Sequence, residues 1–206
     1  MASQSKMTTM STIQGHSAFF GLKADHQAAP DGGPVGLTIK EMTHQGKINI
    51  RCGKSFHKKL SKITGIETDL GNNRCASTKS RHALWLSPDE VLLLTEAGAE
   101  QALAKQIQDS AGNLSVAVND ITDALTSLHL SGHALRDVLA KGCPLDLHKD
   151  HFKQGDCAQS TLSHAGVTLC AVGAEEMIVI CRTSFTDYVV SYLCDAALEY
   201  GYDLKI

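Results

Sequence analysis

Gly65-Ile66-Glu67-Thr68-Asp69-Leu70, followed by Arg74-Cys75-Ala76, has a second copy later in the chain: Gly142-Cys143-Pro144-Leu145-Asp146-Leu147, followed by Asp156-Cys157-Ala158. The correspondence extends in both directions. Upstream, the alternating stretch KINIR (47–51) matches SLHLS (127–131), and a helical pattern separates each from its glycine. Downstream, Glu90-Val91-Leu92-Leu93-Leu94 answers Glu176-Met177-Ile178-Val179-Ile180, and each is followed by a helical stretch of similar length. A repeated unit of roughly 70 residues governs the reading of everything around it. The expected class is α+β, with duplicated, intertwined ferredoxin-like β-α-β-β-α halves whose antiparallel sheets carry helices packed on one face. One domain is expected over 35–206, its halves at about 35–112 and 113–206.

Periodicity supplies the elements on either side. VGLTIKEM (35–42) and GKINIRC (46–52) alternate as strands, and KSFHKKLSKITG puts Phe56, Leu60 and Ile63 along one helical face. RHALWLS and EVLLLTE form a hairpin through Ser87-Pro88-Asp89, and a helix follows over 98–110. The second copy reads SVAVNDI, LTSLHLSG, the helix HALRDVLAK stopped by Gly142, and strands at 157–163, 166–172 and 176–182. A last helix is expected from a Ser184 cap, with Phe185, Tyr188, Val189, Tyr192, Leu193, Ala196 and Tyr200 forming one apolar stripe.

Residues 1–34 show no sustained period and end in PDGGP, the pattern of a flexible N-terminal tail. Its apolar knot around Phe19 and Phe20 is a candidate partner contact. Composition narrows the classes further. A formal net charge of -3 with no basic stripe lacks the phosphate-neutralising surface of a nucleic-acid binder. No apolar run approaches a membrane span and no secretory signal opens the chain, so the expectation is a cytoplasmic protein with no membrane partner. Seven scattered cysteines suit reduced, buried thiols better than a disulfide framework.

The stretch from Cys143 to His164 holds two cysteines and three histidines, which raises the question of a metal. Zinc ligands usually arrive in close pairs such as C-x-x-C, whereas Cys143 and Cys157 are widely separated and His148, His151 and His164 fall in loops and turns. The repeat decides the matter: Cys143 corresponds to Ile66, an apolar position, and Cys157 to Cys75. Core thiols and solvent-facing histidines are the expectation, with no metal site. Gly53-Lys54-Ser55 ends like a phosphate-binding loop but has Ile48 where the first glycine belongs, and no dinucleotide or nucleophile-elbow motif occurs. Asp120 and Asp123 could hydrogen-bond an amine or a pterin-like ring, although acids before a strand more often form turns. Trp85, the only tryptophan, reads as a core or interface aromatic rather than a ligand platform. No catalytic, cofactor-binding or metal-ligating residue is assigned; Phe19, Phe20 and Trp85 are the candidate partner-interface residues.

The segments ALWLSPDEVLLL (83–94), LSG with VLAKGCPLDL (130–147), FKQGDCAQ (152–159) and CRTSFTDY (181–188) resemble the gamma subunit of heterotetrameric sarcosine oxidase, from about Val35 to Tyr200. Ser160 after CAQ, where family members tend to have Thr, is a mild departure. The resemblance implies a fold related to the folate-binding domain of the glycine cleavage T protein and a small subunit without its own active site. It implies alpha, beta and delta subunits as partners, which hold FAD, FMN, NAD and tetrahydrofolate, with zinc in the small fourth subunit. The complex would oxidatively demethylate sarcosine, or a related N-methyl amino acid, to glycine and pass the one-carbon unit to tetrahydrofolate. A free-standing folate-dependent aminomethyltransferase or folate-binding module is the alternative, and the chain length disfavours the former by leaving no room for a further barrel domain.

Overall fold

Alternation in the first central strand sets the layering. Ile48, Ile50 and Cys52 lie on one face, against helices, and Lys47, Asn49 and Arg51 on the other. The computed structural model describes residues 16–206. In chain order these form β1 (Asp25–Gln27), β2 (Leu37–Glu41), β3 (Gly46–Cys52), α1 (Lys54–Thr64), β4 (Cys75–Ser77), β5 (His82–Ser87), β6 (Glu90–Thr95) and α2 (Glu100–Ser110). The remainder is β7 (Val116–Asp120), β8 (Leu125–Ser131), α3 (Leu135–Ala140), β9 (Cys157–Leu162), β10 (Ala165–Gly173), β11 (Glu176–Arg182), α4 (Thr186–Ala196) and β12 (Tyr202–Lys205).

One sheet has the order β4-β5-β6-β3-β7 and the other β9-β10-β11-β8-β2-β12-β1. The first five strands of the second sheet follow the first sheet position for position, so β2 is the twin of β7. Each twin opens its own half of the sequence yet pairs in the other half's sheet: β2 lies antiparallel to β8, and β7 antiparallel to β3. The connections repeat too. Met42 N–H donates to Ser127 C=O at 2.9 Å and Ile121 N–H to Lys47 C=O at 2.9 Å. The intertwining is therefore an exchange of first strands, and neither half can close its sheet without the other.

Three apolar clusters make four layers. α1 and α2 cover the outer face of the first sheet through Phe56, Leu60, Leu103 and Ile107, and α3 and α4 cover the second through Leu135, Leu139, Val189 and Leu193. The third cluster, with Cys75, Leu84, Leu92 and Leu94 opposite Cys157, Cys170, Ile178 and Ile180, lies between the sheets. Where the sheets meet, Cys75 N–H donates to Gly155 C=O at 2.8 Å and Cys157 N–H to Asn73 C=O at 2.9 Å. These bonds flank the Arg74–Asp156 bridge on the internal twofold axis. Twin positions face one another there, so like charges would repel; Arg74 and Asp156 form an ion pair instead.

Several details depart from the sequence expectation. From β3 and from β8 onward the order is β-α-β-β-β-α, one strand more than the expected unit, with β2 and β7 ahead of it; the extra strand of the first half, β4, spans only three residues, too few for an alternating pattern to register. β2 and β12 pair in parallel within otherwise antiparallel sheets. α4 starts at Thr186, Ser184 sits in a preceding 3-10 turn, and no side chain caps the helix. The segment read as a tail lies outside the described residues over 1–15. From His16 onward it adds β1 to the edge of the second sheet and inserts Phe19 into that half's core.

Candidate functional site

The residues singled out from the sequence do not converge. Cys143 is buried against α3 and α4 while its twin Ile66 is buried in the other helical layer, each at about one-twentieth exposure (6% and 5%). Cys157 lies between the sheets. His148 and His151 are exposed on a loop, where Asp146 accepts from His148 N–H at 3.0 Å and contacts the His151 ring. That contact raises the His151 pKa and lowers that of Asp146. His164 sits beside the β9–β10 turn, its N–H 3.4 Å from the Tyr188 hydroxyl. Among the described residues no three His, Cys, Asp or Glu side chains are grouped to hold a metal ion.

Gly53 precedes α1 without folding back into a phosphate cradle, and its N-terminal turn contains no acid. Asp120 accepts from Thr122 N–H at 3.0 Å and from its hydroxyl at 2.6 Å, which makes it a turn former. Trp85 is half-buried at the rim of the inter-sheet cluster. Of the two phenylalanines, Phe20 is 75% exposed and stacks near His16, whereas Phe19 is 1% exposed and packs inside the chain's own core. Phe19 is thus unavailable to a partner while that segment stays docked. Its neighbours hold it there: Ser17 hydroxyl and Ala18 N–H both donate to the Glu41 carboxylate.

Two features escaped the sequence reading, one arising from the strand exchange and the other from the packing of sheet on sheet. The first is a cavity of about 350 Å³ between the crossing connections, lined by His16, Glu41, His44, Lys47, Asp123 and Ser127 among others. Lys47 is 3% exposed, and its ammonium donates to Gln45 C=O at 2.8 Å. Burial lowers its pKa, with Glu41 and Asp123 opposing that shift from a distance. No carboxylate lies within 4 Å of it among the described residues, and Ser127 Oγ has no hydrogen-bond partner. Nothing in KINIR marks Lys47 as buried rather than solvated.

The second is the thiol group in the seam. Cys75 and Cys170 approach to 2.8 Å between their sulfurs, and Cys157 stands opposite Cys170 on the neighbouring strand. Burial pushes the Cys157 thiol up to about 12. Cys170 is raised by its hydrogen bond to Cys75 and by burial, while the same bond lowers Cys75. Cys157 and Cys170, held protonated in this way, pack as small apolar residues, and Cys75 is buried beside them.

A duplicated α+β body with exchanged first strands has the fold of the glycine cleavage aminomethyltransferases. The solved aminomethyltransferase T of Bartonella henselae superposes with a TM-score of 0.64 over 90% of this chain and 56% of that one, at 11% identity, a likeness of fold alone. The chain belongs to the sarcosine oxidase, gamma subunit family, whose model matches residues 51–199. It is 31% identical over 183 residues to sarcosine oxidase subunit gamma of Corynebacterium sp. (strain U-96), covering 87% of this chain and 88% of that protein. A second relative, sarcosine oxidase subunit gamma of Corynebacterium sp. (strain P-1), is 30% identical over 185 residues, 86% of this chain and 90% of that one. Among solved structures, heterotetrameric sarcosine oxidase from Corynebacterium sp. U-96 in complex with pyrrole 2-carboxylate contains a chain that matches at a TM-score of 0.76 and 29% identity. That match covers 84% of this chain and 88% of the other.

Proposed function

We propose that this chain is the non-catalytic gamma subunit of a heterotetrameric, flavin-dependent oxidase of sarcosine or a related N-methyl amino acid. Its alpha, beta and delta partners carry the chemistry: oxidative demethylation to glycine and transfer of the one-carbon unit to tetrahydrofolate. The observation that carries this reading is the agreement in sequence and fold with gamma chains along most of the length, against agreement in fold alone with the aminomethyltransferase.

The residues of this chain do not fit the complex's cofactors. Gly53-Lys54-Ser55 lacks the loop that would cradle the phosphates of FAD, FMN or NAD, and the thiols and histidines are too dispersed for zinc. Those groups are assigned to the other subunits, and no step is routed through this chain. Phe20 and Trp85 remain candidate contacts with the large subunit. A cytoplasmic setting accords with seven cysteines, none disulfide-bonded, and with the lack, among described residues, of a helix long and apolar enough to cross a membrane.

Co-expression of the four chains, with and without this one, tests the reading. The expected result is a complex that incorporates this chain and loses integrity when it is omitted. An isolated chain that transfers a one-carbon unit from a methylated amine to tetrahydrofolate, and joins no partner, restores the aminomethyltransferase.

A further inference from the structure

The twin strands β2 and β7 differ in one respect, and from it we infer that the open edge of β7 accepts an extended segment of a partner subunit, paired in parallel as β12 pairs with β2. The inference rests on the subunit reading above. Leu37 and Ile39 of β2 correspond to Val116 and Val118 of β7, as the matched pairs Ile39–Leu130 and Val118–Ile50 show. β12 covers the free edge of β2 in parallel register, Leu37 to Tyr202 and Ile39 to Leu204, and leaves both β2 side chains fully buried. β7 is the last strand of its sheet, and Val116 and Val118 are only half-buried. Leu114, just before β7, is 47% exposed. Among the described residues the first sheet thus lacks the strand that completes the second.

The backbone of β7 is set up for such a strand. Ile121 N–H bonds Lys47 C=O, and in an antiparallel ladder alternate residues turn the same way. Residues 117 and 119 therefore face β3, and the N–H and C=O groups of Val116, Val118 and Asp120 face outward, the Val116 C=O meeting only the exposed Gln108 side-chain amide at 3.5 Å. Proline, lysine and bulges are among the devices that block solvent-exposed edges. Val116-Ala117-Val118-Asn119-Asp120 has none of these three, and its one charge, Asp120, stands at the far end.

The occupant is specified by the twin and by charge. β12 reads Tyr202-Asp203-Leu204-Lys205, with Tyr202 and Leu204 buried. The partner segment has the same pattern, apolar at its first and third positions, where it covers Val116, Val118 and Leu114. Asp120 and Asp123, both exposed at the far end of β7, have no ion-pair partner within 4 Å among the described residues. The segment therefore ends in a basic residue. Main-chain pairing supplies the affinity and the two apolar positions the selectivity.

Hydrogen exchange read by mass spectrometry on peptides spanning 114–121 tests this, comparing the isolated chain with the complex co-expressed from all four subunits. Exchange there is expected to slow at least tenfold on assembly. Val118→Pro removes an outward N–H and no bond to β3, so the variant should keep the circular dichroism of the isolated chain yet enter the complex at least tenfold less well. An assembled complex whose 114–121 exchange equals that of the isolated chain overturns the inference and leaves the subunit reading standing. Failure of the four chains to associate overturns both. Protection already present in the isolated chain also overturns the partner assignment: if it rises with concentration, a second copy is the occupant, and if it disappears on deleting residues 1–15, the chain's own N-terminus is.

Discussion

Phe19→Ala is expected to destabilise the isolated chain by about 1.5–3 kcal/mol, while Phe20→Ala one residue away changes stability by less than about 0.5 kcal/mol. The contrast comes from exposure, 1% against 75%. Truncating a buried phenylalanine in a rigid core costs about 3–5 kcal/mol, because lost transfer energy and an unfilled cavity add together. Phe19 lies on a short N-terminal segment fastened to the rest by Ser17 and Ala18 on Glu41, so that segment can undock rather than hold a cavity open. The cost is then capped near the transfer energy of one phenyl group, about 1.5–3 kcal/mol. Urea unfolding followed by circular dichroism at constant protein concentration measures both variants, with m-values checked for a shared unfolded state. Equal effects from the two substitutions, or a Phe19→Ala effect below about 0.5 kcal/mol, would show that the segment does not belong to the core. A truncation lacking residues 1–22 should match Phe19→Ala in direction.

The same geometry sets four further outcomes. Cys143→Val should cost less than about 1.5 kcal/mol as a near volume-conserving change at an apolar position, and native Cys143 should resist thiol labelling. Arg74 is half-exposed, so a double-mutant cycle with Asp156 should return a coupling of no more than about 1 kcal/mol, whereas Arg74→Asp places like charges face to face on the twofold axis and should lower the unfolding midpoint further than Arg74→Ala. Gly132 has φ +135° and a Cβ there would meet Gly36 C=O at 2.2 Å, so Gly132→Ala should destabilise by at least about 1–3 kcal/mol in thermal unfolding. In a proton NMR titration His151 should titrate above the ordinary histidine value, and Asp146→Asn should bring it down. For that raised pKa the contact helps the fold below the unfolded-state value and is lost as pH climbs through the folded one; for Asp146, lowered, the help is present above its unfolded-state value and lost as pH falls through the folded one.

Local pattern was enough for most of the elements. Period-two alternation marks GKINIRC and a short apolar run marks EMIVICR at the bounds they adopt, and helical spacing marks α1 and α2 to within two residues. The repeat carried more than any motif: matching Cys143 to Ile66 and Cys157 to Cys75 placed thiols in the core and argued against a metal, a conclusion the dispersed histidines alone could not support. A one-dimensional pattern does not contain the partner of each strand. β2 and β7 have the same alternation whether they pair within their own half or across to the other, since side-chain period is a property of the strand and pairing is a property of the sheet. Only the tertiary structure decides that the first strands are exchanged. From that exchange come the burial of Lys47 between the crossing connections and the capture of Phe19 by a core formed from distant segments, while the meeting of the two sheets sets the ion pair on the internal axis. Among the described residues the same exchange, with β12 present on one side only, leaves β7 open where β2 is closed. That difference between two nearly equivalent strands is set by the short C-terminal segment beyond α4, which returns to the edge of β2, rather than by anything in the strands themselves.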